Sequence, residues 1–177
     1  MGKKKKISGK KAEKLFPFIL EKAGFQFVDP PIPGMKVKAI ARANSFEDHS
    51  LKIDFWINYD LGEGFIWIPV QFKTYGKTPT SPRNSVIRSI RKSKYQGILC
   101  IAIKYDVITQ AHKGDKKKIQ LVGRKVKHAI ERHFPKIENP FTLERAIYIK
   151  KCVRDGGNKN NANVDWKKYL PSNSEDA

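Results

Sequence analysis

A carboxylate, an amide oxygen and an ammonium, at Asp54, Gln71 and Lys73, are the side chains of this sequence whose types and spacing suit chemistry at a phosphodiester. Sixteen residues separate the first two, and one separates the last two. A hard divalent cation takes oxygen ligands and keeps waters, while an ammonium beside it favours a hydroxide nucleophile or offsets transition-state charge. The three groups can act together only if the chain folds them onto one side of a surface. Leu51, Ile53, Phe55 and Ile57 alternate with Lys52, Asp54, Trp56 and Asn58. After the turn at residues 60–64, Ile66, Ile68, Val70 and Phe72 alternate with Trp67, Pro69, Gln71 and Lys73. This period of two predicts the strands of a hairpin. Matching apolar to apolar pairs Ile57 with Ile68 and Phe55 with Val70, which sets Asp54 opposite Gln71 on the face away from the core. Pro69 donates no ladder bond, so it belongs on an unpaired side or at a bulge, and a bulge there would shift the register by one residue. Taken singly, Asp54 reads more readily as a cross-strand ion pair with Lys73 or Lys52, and Gln71 as an ordinary exposed strand position.

The surrounding pattern supplies the elements that would position these groups. Over residues 8–23, Ala12, Leu15, Phe16, Ile19, Leu20 and Ala23 recur at three and four, one face of a helix capped by Ser8 and stopped by Gly24. Pro17 inside it predicts a kink or a two-part helix. A short strand over residues 25–28 and a rigid Pro-rich loop over 29–34 follow. Asn84 or Ser85 is expected to cap a helix with Val86, Ile87 and Ile90 inward and Arg88, Arg91 and Lys92 outward, broken at Gly97. The apolar run over 98–103 reads as a central strand covered on both faces. Beyond it, a helix over 124–134, a second element over 142–153 and a polar loop over 155–163 are expected. The organisation is a single domain over residues 8–170, between a basic disordered tail at 1–7 and a flexible tail at 171–177.

Charge narrows the partner. The chain has 36 Lys and Arg against 17 Asp and Glu, a formal net charge of +19. A surplus of this size calls for a polyanion whose phosphates neutralise it and release counterions. Nucleic acid fits better than anionic lipid, because the basic clusters are not gathered on one long amphipathic helix with an aromatic face. A hydrophobic fraction of 40% is enough for a folded core. No apolar run approaches the roughly 18 residues of a membrane span. The expected compartment is cytoplasmic and nucleoid-associated, or nuclear in a eukaryotic cell, where the lysine tail would serve for targeting or for phosphate contacts. Cys100 and Cys152 have no CxxC spacing, and the four histidines share no metal-ligand spacing, which argues against a disulfide framework or a zinc site.

Asp54 and the segment Gln71-Phe72-Lys73 in an apolar strand resemble the PD-(D/E)XK nuclease superfamily, in its variant with Gln at the D/E position. Gly9-Lys10-Lys11-Ala12-Glu13, followed by Leu20 and Gly24-Phe25, is similar to the opening helix of several such nucleases. The superfamily includes restriction enzymes, Holliday junction resolvases and some homing endonucleases. The resemblance covers roughly residues 8–104 and leaves 105–170 as a C-terminal elaboration. It implies an α/β fold, restriction-endonuclease-like, with a mixed central sheet flanked by helices in αβββαβ order. It also implies Mg2+- or Mn2+-dependent endonuclease activity on double-stranded or branched DNA, RNA being the lesser candidate, by a homodimer or higher oligomer. By the same resemblance Asp54, Gln71 and the Phe72 backbone carbonyl would hold the metal, Lys73 would assist the attacking water, and Glu13 would orient water or a second metal; Glu21 is a competitor for that last role. Ile53 stands where many members have Pro. Gln71 is neutral where most have Glu or Asp, which implies weaker metal affinity. The candidate nucleic-acid contacts are Lys10, Lys11, Tyr75, Lys77, Arg83, Arg88, Arg91 and Lys92. The competing expectation is a non-catalytic basic protein that binds DNA or RNA.

Overall fold

The computed structural model describes residues 9–76 and 83–156. The expected tails at 1–7 and 171–177, most of the polar loop at 155–163, and Lys77 lie outside them. The fold is α/β, with a five-stranded mixed sheet flanked by helices. Its elements run α1 (Gly9–Lys22), β1 (Gln26–Val28), β2 (Ala39–Arg42), a π-helical turn (Glu47–Leu51), β3 (Phe55–Asp60), β4 (Phe65–Tyr75), α2 (Arg83–Tyr95), β5 (Leu99–Lys104), α3 (Tyr105–His112), α4 (Lys116–His133) and α5 (Leu143–Gly156). The strands lie in sequence order. β1 is parallel to β2 and β5 to β4, while β2, β3 and β4 are antiparallel neighbours.

The apolar alternation of the hairpin sets its register, and the pairs Ile57–Ile68 and Phe55–Val70 form as expected. One face of the sheet, carrying Phe55, Ile57, Val70, Phe72 and Ile101, packs beneath α1, α3 and α4. α1 holds its place chiefly through Phe16, whose ring stacks on Phe72 at 4.3 Å and approaches Phe55 at 5.3 Å. Pro17 is accommodated inside a single helix rather than splitting it. It is buried, and the missing bond to the carbonyl one turn back is outweighed by the apolar face that α1 lays on the sheet.

The opposite face is not the open polar surface that alternation alone suggests. Trp56, Trp67, Ala41 and Ile53 form a second core with Phe141, Leu143, Ala146 and Ile149 of the chain leading into and along α5. Ile53 thus faces the other way from Phe55, so the alternation over 51–57 breaks. The chain at 47–51 is a π-helical turn, Lys52 adopts a left-handed conformation with φ +61°, and the strand begins only at Phe55.

Three further expectations are corrected. The run at 98–103 is not a central strand: among the described residues β5 is an edge, paired only with β4. Ile87 and Ile90 are not inward, being 39% and 43% exposed, whereas Ser93 is 1% exposed. α2 lies over the polar side of β4, and there a hydroxyl finds partners that an isoleucine would not. The helix expected over 124–134 begins at Lys116, where Asp115 caps it by accepting from the Lys118 N–H at 3.2 Å. β2, short and bounded by polar loops, carries no clear sequence signal.

Candidate active site

The site forms where β4 outruns β3. β4 has 11 residues and β3 has 6, and their pairing ends at Phe55–Val70. Among the described residues, β4 continues beyond Val70 alongside β5 alone, leaving its other edge without a strand partner. Asp54 occupies that edge. Its N–H donates to the Val70 carbonyl at 2.8 Å, although Val70 already pairs with Phe55. Two residues therefore oppose one, as in a β-bulge, and Asp54 is displaced from the position opposite Gln71 that strict alternation predicts. Its side chain then turns onto β4, where Oδ2 accepts the Phe72 N–H at 2.6 Å. The N–H and C=O of one strand residue point to the same side, so the Phe72 carbonyl faces the Asp54 edge as well. Pro69, one residue before Val70, points its nitrogen toward the β5 side, just short of where that pairing starts, and no ladder bond is lost.

The loop that delivers Asp54 is held by a reciprocal cap. Asn44 N–H donates to Glu47 Oε2 at 2.9 Å and Glu47 N–H to Asn44 Oδ1 at 3.0 Å. The same Glu47 carboxylate, buried, accepts from the Trp56 indole at 3.1 Å, which fastens the turn to β3.

Gln71 and Lys73 alternate with Phe72 and so lie on the face away from α1, both half-buried. Gln71 Oε1 accepts from the Ser93 hydroxyl of α2 at 2.7 Å. Cys100 pairs with Gln71 and Ala102 with Lys73 in the parallel register, placing the Cys100 thiol on the same face. Burial pushes that thiol up to about 11, against the lowering pull of Lys73 and of a hydrogen bond with Ser93. Burial also holds the Asp54 carboxyl above the usual carboxylate range; the Phe72 N–H and the Lys73 ammonium pull it back, Asp48 adds to the rise, and Lys52 opposes it. Asp54, Gln71, Lys73, Ser93 and Cys100 are therefore one neighbourhood.

Glu13 is placed differently. α1 packs on the Phe72 side of β4, and Glu13 sits half-buried one turn before Phe16, so it approaches from the face opposite Gln71 and Lys73. Glu21 is exposed near the far end of α1. Of the candidate backbone contacts, Arg88, Arg91 and Lys92 are exposed on α2, Tyr75 is half-buried at the end of β4, and Lys11 is exposed on α1. Lys10 lies in the first turn of α1 and Arg83 opens α2.

Sequence reasoning missed Ser93, Cys100 and the Asn44–Glu47 cap. The cap had a signal, Asn followed three residues later by Glu. Ser93 and Cys100 had none, since each is polar or soft in a segment whose facing is set by packing. Among the described residues no three His, Cys, Asp or Glu side chains converge. The donors here are one carboxylate, one amide and one backbone carbonyl, all oxygens when the Gln71 amide turns its oxygen inward. No protein-family model, no curated protein and no solved structure matches the chain.

Proposed function

We propose that this protein is a metal-dependent DNA endonuclease of the PD-(D/E)XK type, in which β2 to β5 with α1 and α2 form a restriction-endonuclease-like core and β1 is an addition. The observation that carries the reading is the 2.6 Å bond from the Phe72 N–H to Asp54 Oδ2, which ties the lone carboxylate to the middle of the Gln-Phe-Lys segment. The oxygen donors suit Mg2+ or Mn2+, with Asp54, the Phe72 carbonyl and Gln71 as the protein's share and waters or a substrate phosphate as the rest. Bound there, such an ion would supply Lewis-acid polarisation of a phosphate and a more acidic water. Lys73 holds positive charge beside Asp54, where it balances the charge gathering on a pentavalent phosphorus. Ser93 fixes the plane of the Gln71 amide. Glu13, on the other face, orients water only if the substrate's path brings solvent around the end of β4. Cutting both strands of a duplex favours a homodimer or higher symmetric assembly, with DNA preferred over RNA as substrate, in the cytoplasm at the nucleoid or in a nucleus.

One observation favours a second reading, a nucleic-acid-binding protein without catalysis. Gln71 Oε1 is already engaged by the Ser93 hydroxyl at 2.7 Å. A hydroxyl can donate or accept, so turning the amide over would let Nε2 donate to Ser93 and release the oxygen. The two readings separate on plasmid and branched DNA, with Mg2+ or with EDTA. Cleavage is expected with Mg2+, is abolished by EDTA, and falls about a hundredfold or more in Asp54→Ala and Lys73→Ala while DNA binding persists. Binding with no metal-dependent cleavage on any of these substrates would establish the second reading.

A further inference from the structure

Helix α4 carries seven Lys and Arg and a single carboxylate, Glu131. It buries Ile119, Val122, Val126, Ala129 and Ile130 against the sheet, on the face opposite Gln71 and Lys73. Its outward ridge presents Lys117, Gln120, Arg124 and Lys127, all exposed and spaced at three and four. A groove flanks the ridge on each side. One, of about 640 Å³, runs between α4 and the corner after α1, with Lys22, Lys38, Arg124 and Lys127 around Tyr59. Gly123 allows this close approach, since a Cβ there would already lie 3.2 Å from the Ala23 methyl. The other, of about 700 Å³, lies along the free edge of β5, with Lys94, Arg124, Lys125, His128 and Lys136 over an apolar floor. Arg124 lines both grooves, and among the described residues neither lining includes a carboxylate. Glu131 borders the first groove, accepting from the Tyr59 hydroxyl at 3.0 Å and lying 3.9 Å from the Lys127 ammonium, so it offsets part of the charge there.

Two cationic grooves on either side of one helix are separated by about the helix diameter, about 10–12 Å. The major groove of B-form DNA is about 12 Å wide, admits an α-helix, and is walled by two phosphate strands. We propose that α4 is a second nucleic-acid-binding element, its ridge entering the major groove of a duplex while the flanking grooves take the two phosphate backbones. α4 itself packs on the face of the sheet opposite Gln71 and Lys73, while the groove along β5 reaches round that edge to Lys94 and Cys100. Gln120 and Arg124 are side chains that reach base edges bidentately; the flanking lysines contact phosphate. A second copy of this chain is disfavoured as the occupant, since both surfaces would carry the same charge. This inference rests on the nucleic-acid half of the function proposed above and is independent of cleavage.

The test uses the full chain in EDTA, so that no cutting intervenes, with a fluorescently labelled duplex of about 20 base pairs as the probe. Arg124→Glu with Lys127→Glu is compared with Lys150→Glu and Lys151→Glu, an exposed pair on α5 at the other face with the same charge change. The α4 pair is expected to weaken binding at least about tenfold more than the α5 pair and to reduce the slope of log K against log salt by about two. Methylating guanine N7 in the duplex should weaken wild-type binding and leave Arg124→Ala little further affected. Thermal melts check that the variants fold, and Arg124→Lys should retain phosphate affinity. Equal weakening by both pairs, insensitivity to N7 methylation, or displacement of the duplex by an acidic peptide at equal charge concentration would overturn the proposal. Failure of the nuclease reading shows instead as absent cleavage with these binding differences intact.

Discussion

Asp54 is a half-buried carboxyl whose charge is only partly compensated by one backbone N–H and a neighbouring ammonium, and this sets its behaviour with pH. Its folded-state pKa is raised, so the fold favours the protonated form. The stabilisation associated with that preference is fully present below the ordinary carboxyl value and is lost as pH rises through the folded value. Asp54→Asn keeps an acceptor for the Phe72 N–H and removes the charge. Its Tm at pH 7 is therefore expected to exceed that of the wild type, with the gap closing as the pH falls below the ordinary carboxylate range. Mg2+ should raise the wild-type Tm more than that of the Asn variant. A variant that melts below the wild type at pH 7 would show that the charge is compensated more fully than the geometry indicates. At this scale the sequence was legible for Asp54, Gln71 and Lys73, because a hairpin brings residues of close sequence separation together. Ser93, the partner of Gln71, comes from a different helix, and nothing local to it announces the contact.

At the scale of elements, the decisive fact is the unequal length of β3 and β4, which leaves a β4 edge for Asp54 to fill. The bulge at Asp54–Phe55 and the left-handed Lys52 explain why the alternation over 51–57 could not be extended to its start. A second junction, at the end of α2, ties β5 to α5. Gly97 has φ +74°, and its carbonyl accepts the Phe141 N–H at 2.8 Å. A Cβ there would lie 2.3 Å from the Asn139 carbonyl oxygen and 2.7 Å from the Phe141 nitrogen. Gly97→Ala must therefore push the 139–141 segment away and loosen Phe141 and Leu143 from the second core. The expected cost is about 2 kcal/mol or more, a fall in Tm of roughly 4–8 °C by calorimetry or circular dichroism. An unchanged Tm would mean that the segment is not docked as described. Gly97 was legible as a helix stop, but its tight backbone neighbours, some forty residues on, were not.

Over the whole molecule, the charge excess sets what the proposed association with a polyanion should show. Among the described residues, exposed cations lie on both sides of the sheet: Arg88, Arg91 and Lys92 on α2, and the α4 cations on the other side. Binding to a duplex that neutralises six to ten phosphates should weaken by about 10³-fold or more between 50 and 200 mM salt, measured by fluorescence anisotropy. A loss of less than tenfold would remove nucleic acid as the natural complement of this surface. No helix among the described residues is long and apolar enough to cross a membrane. By itself the sequence determined the first helix, the apolar pairing of the hairpin, the closeness of Asp54 to the Gln-Phe-Lys segment, and the sign of the chain's net charge. These follow from short-range periodicity and from composition. Only the tertiary structure decided that the second hairpin face is a core, that β5 is an edge, that α2 turns Ser93 rather than its isoleucines inward, and that α4 stands between two cationic grooves. Each of these depends on which distant segment covers a face, a choice set by the packing of the whole chain that no local pattern encodes.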